Sequence, residues 1–458
     1  MRFIHHNNII TLDNTGTVDP TTGNPLSEVF SYPADEFLRD EPQYNGLPYG
    51  MTSRIWTDGR GILSDGTSNY HDTLDCQPFI VRLSIYKQAY EDRIAINGPP
   101  EISLDSIQNS AYSSNILMNG NFDIWQRGTM FITLSDHQYT ADRFLFTRAG
   151  SMVYSCEQSQ DTPDTQVSAS QSEYSLLLTC TTSQETVNTD DYVCIEQRVE
   201  GSYIRMLYNT TASISFYVKA SIPGVYCVSI SNNIDKTMLL EYTIEEADTW
   251  ERKDIPFDID IANGTWPCDN LTGIRIIWCL GAGSTYTTDP RRTWKDGVYY
   301  GTSAQTSVSQ TVNATFALSQ VQLVHGKIIQ PFQQKTQYQE LIDCMRYYEK
   351  SYPVTITPGD ELHTGLALLP IMYTKNKYFA LYFPFQVPKR SVPSMRSWDA
   401  EGNTNRHTAW TKTWAHVDNL SSDRFSFDAT HRGFVYRDML TSTNYGTIGR
   451  HWSADAEL

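Results

Sequence analysis

Four aromatic residues in turn-rich segments, Trp266, Trp294, Tyr299 and Tyr300, lie close in the sequence to Asp289, Arg291, Arg292 and Asp296. Those residue types could hold a sugar. A pyranose offers a flat C–H face and a rim of hydroxyls, so its recognition needs exposed rings beside planar groups that donate and accept hydrogen bonds. The segment Ser284 to Gly301 is therefore the preferred ligand-facing patch, with Trp266, Trp294, Tyr299, Tyr300, Arg292 and Asp296 as candidate glycan contacts. A second group, Trp398, Trp410, Trp414 and Trp452 with His407 and His416, has a similar make-up, and core packing or subunit contacts account for it equally well.

Other reactive chemistry is thinly supported. Asn119, Asn121 and Asp123 place hard oxygen atoms at alternate positions, which suits a structural calcium ion. The glycine and bidentate glutamate of an EF-hand are missing, and a turn at Asn119-Gly120 that sets a strand's register is the alternative. No cofactor is expected. There is no GxSxG elbow, HExxH helix or P-loop, so nucleophilic, zinc-dependent and phosphate-cradling catalysis lack their usual motifs. Polysaccharide hydrolysis would need only two suitably spaced carboxylates. The short repeated rungs of a β-helix are not seen, and no catalytic residue is assigned. Cysteines 76, 156, 180, 194, 227, 268, 279 and 344 form no CxxC pair and no zinc spacing, and they read as buried thiols.

The elements that must position these residues are strands. Aromatics make up 12% of the chain, with 28 tyrosines, and such residues suit half-buried pleated surfaces. Strands are expected at Arg143 to Arg148, Met152 to Glu157, Tyr174 to Thr181, Val193 to Val199, Ala212 to Lys219, Gly224 to Ser231, Thr237 to Ile244, Gly273 to Leu280 and Ala314 to Val324. Their turn-rich spacing predicts a sandwich or jelly roll. Phe122, Ile124 and Gln126 alternate with Asp123, Trp125 and Arg127, which predicts one further extended segment ending at Gly128.

At 458 residues the chain should hold about two to four domains. Residues 1–100 carry turn signals such as Asp58-Gly59 and Asp65-Gly66 and read as an irregular attachment and oligomerisation region. Within it, Phe79, Leu83, Tyr86, Tyr90 and Ile94 recur at helical spacing over Gln77 to Ile96, a stripe that packs either on a neighbouring subunit or on its own domain. A polar linker, 101–115, leads to a jelly-roll domain, 116–336. A bridging helix, 337–351, with Tyr338, Leu341, Ile342, Met345 and Tyr348 on its apolar face, precedes a smaller β-sandwich, 352–458. A net charge of -17 argues against a grip on nucleic acid or an anionic membrane. No stretch suits a bilayer span or a signal-peptide core, so synthesis in a cytoplasm is expected.

Several landmarks occur in order: Asn119-Gly120-Asn121-Phe122-Asp123-Ile124-Trp125-Gln126-Arg127-Gly128, Tyr139-Thr140-Ala141-Asp142-Arg143-Phe144, Glu196-Gln197-Arg198-Val199-Glu200-Gly201, Val321-Gln322-Leu323, Cys344-Met345-Arg346-Tyr347-Tyr348-Glu349 and His451-Trp452-Ser453-Ala454-Asp455. Over residues 116–458 they resemble bacteriophage tail-fibre and virion proteins with a jelly roll similar to carbohydrate-binding modules. That resemblance implies a structural component of a phage particle, docked to other virion proteins through residues 1–100 and recognising host surface glycan. The alternative is a head fibre, collar or tail adaptor whose jelly roll is only a spacer. Weak sites gain from avidity, so a homotrimer is expected. The landmarks themselves read as architecture: the Arg143 fork would cap loop carbonyls and Asp142 would accept main-chain N–H groups. Trp125 either lies over the sandwich edge, bonded to a loop, or faces a sugar.

Overall fold

The computed structural model describes residues 115–458, except 165–170, 208–210, 233, 260–263, 290, 327–330, 371–377, 412–415, 422–424 and 440–444. Before residue 115 it describes strand backbone only. The chain divides into two compact units, Met1–Ser103 and Leu104–Leu458.

The first unit contains a six-stranded antiparallel sheet in the order Val29–Pro33, Ile9–Asp13, Arg2–His6, Thr52–Ile55, Arg60–Ser64, Tyr70–Asp75. The segment expected to be irregular thus carries regular pairing. Asp58-Gly59 and Asp65-Gly66 fall, in sequence, between the strands Thr52–Ile55, Arg60–Ser64 and Tyr70–Asp75, which pair in succession. The helix expected at Gln77 to Ile96 and most of the 101–115 linker lie outside the described residues.

The second unit opens with a two-layer jelly-roll sandwich. One layer runs Gln138–Tyr139, Phe144–Ala149, Tyr192–Glu200, Thr272–Ala282, Gly224–Ser231, Lys236–Ile244, Lys295–Asp296. The other runs Glu251–Asp258, Thr211–Ala220, Thr315–His325, Ser175–Thr182, Val153–Ser159, Met130–Phe131. Every strand expected between 143 and 324 is present, because apolar residues at period two must all face the opposing layer. Glu251–Asp258 was not expected. Its first half is charged and only partly buried, as befits an edge strand pairing solely with Thr211–Ala220. Trp278 is the largest fully buried side chain among the described residues, meeting Phe216 edge-on at 5.7 Å.

The helix is shorter than expected, Gln337–Met345, with Thr336 accepting the Gln339 N–H at its start. Its inward residues are Glu340, Cys344 and Met345, whereas Tyr338 is exposed. Tyr348 leaves the helix because Tyr348–Lys350 pairs with the last strand, Tyr445–Asp455. That long strand also pairs with Ala367–Pro370, Ser394–Trp398 and Arg406–Thr411, and it organises the C-terminal β unit. A three-stranded sheet, Tyr378–Pro384, Gly433–Met439 and Ser426–Thr430, completes the unit around Phe385, Phe434, Tyr436, Ile448 and Trp452. Six of the cysteines are buried free thiols and Cys268 is partly buried.

Candidate functional site

The six residues expected to bind glycan are largely engaged by the sandwich itself. Trp266 and Trp294 meet edge-on at 5.3 Å and pack against the core, with Trp294 Nε1 donating to the Asp258 carbonyl at 3.1 Å. Arg292 is exposed and donates to the Pro256 carbonyl at 3.1 Å, while Asp296 pairs with Lys236. Tyr299 is half-buried and its main-chain oxygen accepts from Ser229. Tyr300 is corrected outright as an exposed ring: at 7% exposure it stacks on Tyr286 at 5.1 Å and covers Cys194, Ile277 and Cys279. The cause is period two in Thr272–Ala282, which turns apolar Ile277 and Cys279 outward and requires a cover. Of the second aromatic group, Trp398 and Trp452 are buried, Trp410 is partly buried and Trp414 lies outside the described residues.

The landmark segments converge instead on one junction between the sandwich and the C-terminal β unit. Asn119 and Phe122 adopt left-handed φ of 54° and 57°, so 119–128 is a compact turn, not the extended segment expected from alternation. Asn119 Oδ1 accepts the Ile124 N–H at 2.9 Å and its Nδ2 donates to the carbonyls of Ile124 and Asp142. These bonds give Asn119 the turn-forming role. Among the described residues no group of three or more acidic, histidine or cysteine side chains could hold a metal. Trp125 is buried, its Nε1 donating to the Phe122 carbonyl at 2.7 Å.

Gly120 lies against the Val321 main chain, where an added Cβ would overlap the carbonyl oxygen. Backbone cannot yield cheaply there. Gly120→Ala is expected to lower the unfolding free energy by about 1–3 kcal/mol. An unchanged urea midpoint would contradict this close approach.

Asp142 accepts the Gln126 N–H at 2.9 Å, and the buried Arg143 donates to the Arg198 carbonyl while its guanidinium lies 3.5 Å over the Tyr347 ring. Arg143 also pairs with Glu457. Arg127, 3.7 Å over Tyr348, reaches Asp455 at 3.2 Å, Glu457 at 3.3 Å and Asp142 at 3.8 Å. Burial pushes the Glu457 carboxyl up, against the opposing pull of Arg143 and Arg127. Lys350 donates to the Gln126 and Val354 carbonyls at 2.6 and 3.0 Å, and burial draws it down to about 8. Beside them, Arg346 forms a two-pronged pair with Glu200 at 2.7 and 2.9 Å, and Lys389 meets Glu349 at 2.6 Å.

This junction forms one side of a cleft of about 540 Å³ lined by Arg127, Phe131, Ser135–Tyr139, Tyr348, Pro358, Arg396, Trp398, Ser453 and Asp455. Strand register builds its wall. Arg396 is opposite Ser453 and Ser394 is opposite Asp455, while Tyr348 pairs with Asp455 from the other side. Arg396, Trp398, Ser453 and Asp455 thereby share one face of the C-terminal sheet. The sandwich supplies the facing rim through Asp136, His137 and Gln138. His137 has φ of 56° and its Nδ1 lies 2.7 Å from Asp136. Rings next to guanidinium, carboxylate and amide groups can hold a polyhydroxylated ligand. Sequence reasoning did not find this cleft, although Arg127, Tyr139 and Tyr348 stand inside the landmarks, because its walls come from segments more than 200 residues apart.

No protein-family model matches the chain, and no curated protein matches it in sequence. Among solved structures it is similar to TmCBM61 in complex with β-1,4-galactotriose, at 12% identity over 46% of this chain and 99% of that one, TM-score 0.25. It is similar to the enzymatically active domain of tailspike protein 4 of bacteriophage CBA120, at 10% identity over 46% of this chain and 21% of that one, TM-score 0.26. A third neighbour is the CBM22-1 xylan-binding domain of Paenibacillus barcinonensis Xyn10C, at 11% identity over 48% of this chain and 98% of that one, TM-score 0.24. Likenesses of this size leave function to be argued from the residues themselves.

Proposed function

We propose that this chain is a non-catalytic, glycan-binding component of a phage tail fibre or spike. In this reading residues 1–100 join it to other virion proteins, and trimeric association multiplies a weak site. The observation that carries the glycan reading is the cleft between sandwich and C-terminal β unit, where Phe131, Tyr139 and Tyr348 stand beside Arg396, Gln138 and Asp455. The ordered landmarks support the virion context. A second reading, a rigid spacer without ligand, draws on the buried ion pairs of Arg143 and Arg127 with Glu457, which tie the two β units together.

Glycan-array binding by the full-length chain separates these readings. Saturable binding is expected, abolished by Ser135→Trp, which fills the cleft from an exposed loop, and retained by Trp294→Ala. Loss in Trp294→Ala with retention in Ser135→Trp would move the site to the 284–301 loop. Absence of binding, with firm incorporation into particles, would establish the spacer. Light scattering that returns only monomer would remove the trimer.

A further inference from the structure

We infer that the cleft takes an acidic sugar, with the ligand's carboxylate received by Arg396; this rests on the glycan-binding reading of the same cleft. Asp136 lies 2.7 Å from His137 Nδ1 and accepts the Arg148 main-chain N–H at 2.9 Å. Asp455 pairs with Arg127 at 3.2 Å and accepts the Glu457 N–H at 3.1 Å. Arg127 in turn is held by Asp455, Glu457 and Asp142. Each carboxylate of the lining thus has a partner within the protein. Arg396 alone among the lining guanidiniums has no ion pair or side-chain hydrogen bond among the described residues, in a chain with 52 acidic side chains against 35 basic ones.

Its placement adds geometry to charge. Arg396 springs from the middle of Ser394–Trp398, and pairing with Tyr445–Asp455 fixes that backbone on both sides of the residue. A guanidinium presents a planar fork that matches a carboxylate through two parallel N–H···O bonds. A sugar bearing a carboxylate on its ring, a uronic or sialic acid, can put that group on Arg396 and turn its hydroxyls to Ser453 and Gln138. A neutral sugar would leave the guanidinium without a counter-charge inside the cleft.

The test uses the full-length chain and a panel of uronic-acid and sialic-acid oligosaccharides, each beside its carboxyl-reduced neutral counterpart, by calorimetric titration. At least one acidic member is expected to bind about tenfold or more tightly than its reduced form, the loss of one charge-assisted contact. Arg396→Gln should erase that preference, and Arg396→Lys should restore part of it. Added salt should weaken the acidic ligand more than the neutral one. Arg396 is exposed, so Arg396→Gln is expected to keep the wild-type unfolding midpoint. Equal binding of acidic and reduced forms, unaffected by Arg396→Gln, would overturn this inference and leave glycan binding standing. Binding of neither form would overturn both.

Discussion

Glu457→Ala is expected to lower the unfolding free energy of the chain by about 3–5 kcal/mol, the cost of stranding a buried charge after its partner is removed. Arg143 is 1% exposed and the Glu457 side chain 5%, so water cannot replace the lost carboxylate. The same carboxylate lies 3.3 Å from Arg127, so one substitution leaves two guanidiniums short of counter-charge. Asp455→Ala should cost far less, since its side chain is 39% exposed and exposed pairs are worth about 0–1 kcal/mol. Urea unfolding of the two variants decides the matter. A midpoint for Glu457→Ala no lower than that for Asp455→Ala would show that the junction is held by packing, with its charges incidental.

Acidification from pH 6.5 to 4 is expected to remove about 3 kcal/mol of stability through His407 alone. His407 is fully buried and, among the described residues, neither ring nitrogen has a hydrogen-bond partner. Burial draws it from 6.5 down to about 4, with Asp438 pulling the other way and Arg450 reinforcing the fall. In that window the unfolded chain binds a proton that the folded chain refuses, so stability rises with pH there and is fully present above 6.5. Around it, Arg450 donates to the Arg406 carbonyl at 2.7 Å and lies 3.4 Å from Asp438, which accepts from Tyr436 at 2.9 Å. Arg450 and Tyr436 thus already engage the Asp438 carboxylate that would face an imidazolium. Carboxylates titrate in the same range, so the informative quantity is the difference between wild type and His407→Leu. The variant's unfolding free energy should fall less between pH 6.5 and 4. Parallel pH profiles would show that His407 is protonated in the folded protein.

Local pattern made the sandwich legible. Strands such as Gly224–Ser231 could be read because alternation is enforced by a one-sided core, and the buried thiols could be read because they sit in those strands. The turn at Asn119-Gly120 was legible for a similar reason, since an asparagine satisfies main-chain groups a few positions away, whereas the main-chain partners of Asp142 and Arg143 lie 16 and 55 residues distant and came only with the fold. The N-terminal strands were missed because short runs between turn residues carry too few alternations to stand out.

The candidate site was hidden for a different reason. Which aromatic ring is covered depends on what packs over it: Tyr300 is buried by the sheet face that needs it, and Trp294 is bonded to a strand some 36 residues away. The helix expected to include Tyr348 stops at Met345 because a strand a hundred residues later claims Tyr348–Lys350. What the sequence determined by itself was most of the sandwich strands, their inward faces and the order of the landmark segments. Tertiary structure alone decided that Arg127, Arg143, Tyr347 and Glu457 meet, and that Arg396 faces a cleft beside them. The physical reason is range: alternation is written between neighbours along the chain, whereas ion pairing and burial are set by residues up to 330 positions apart that only folding brings within reach.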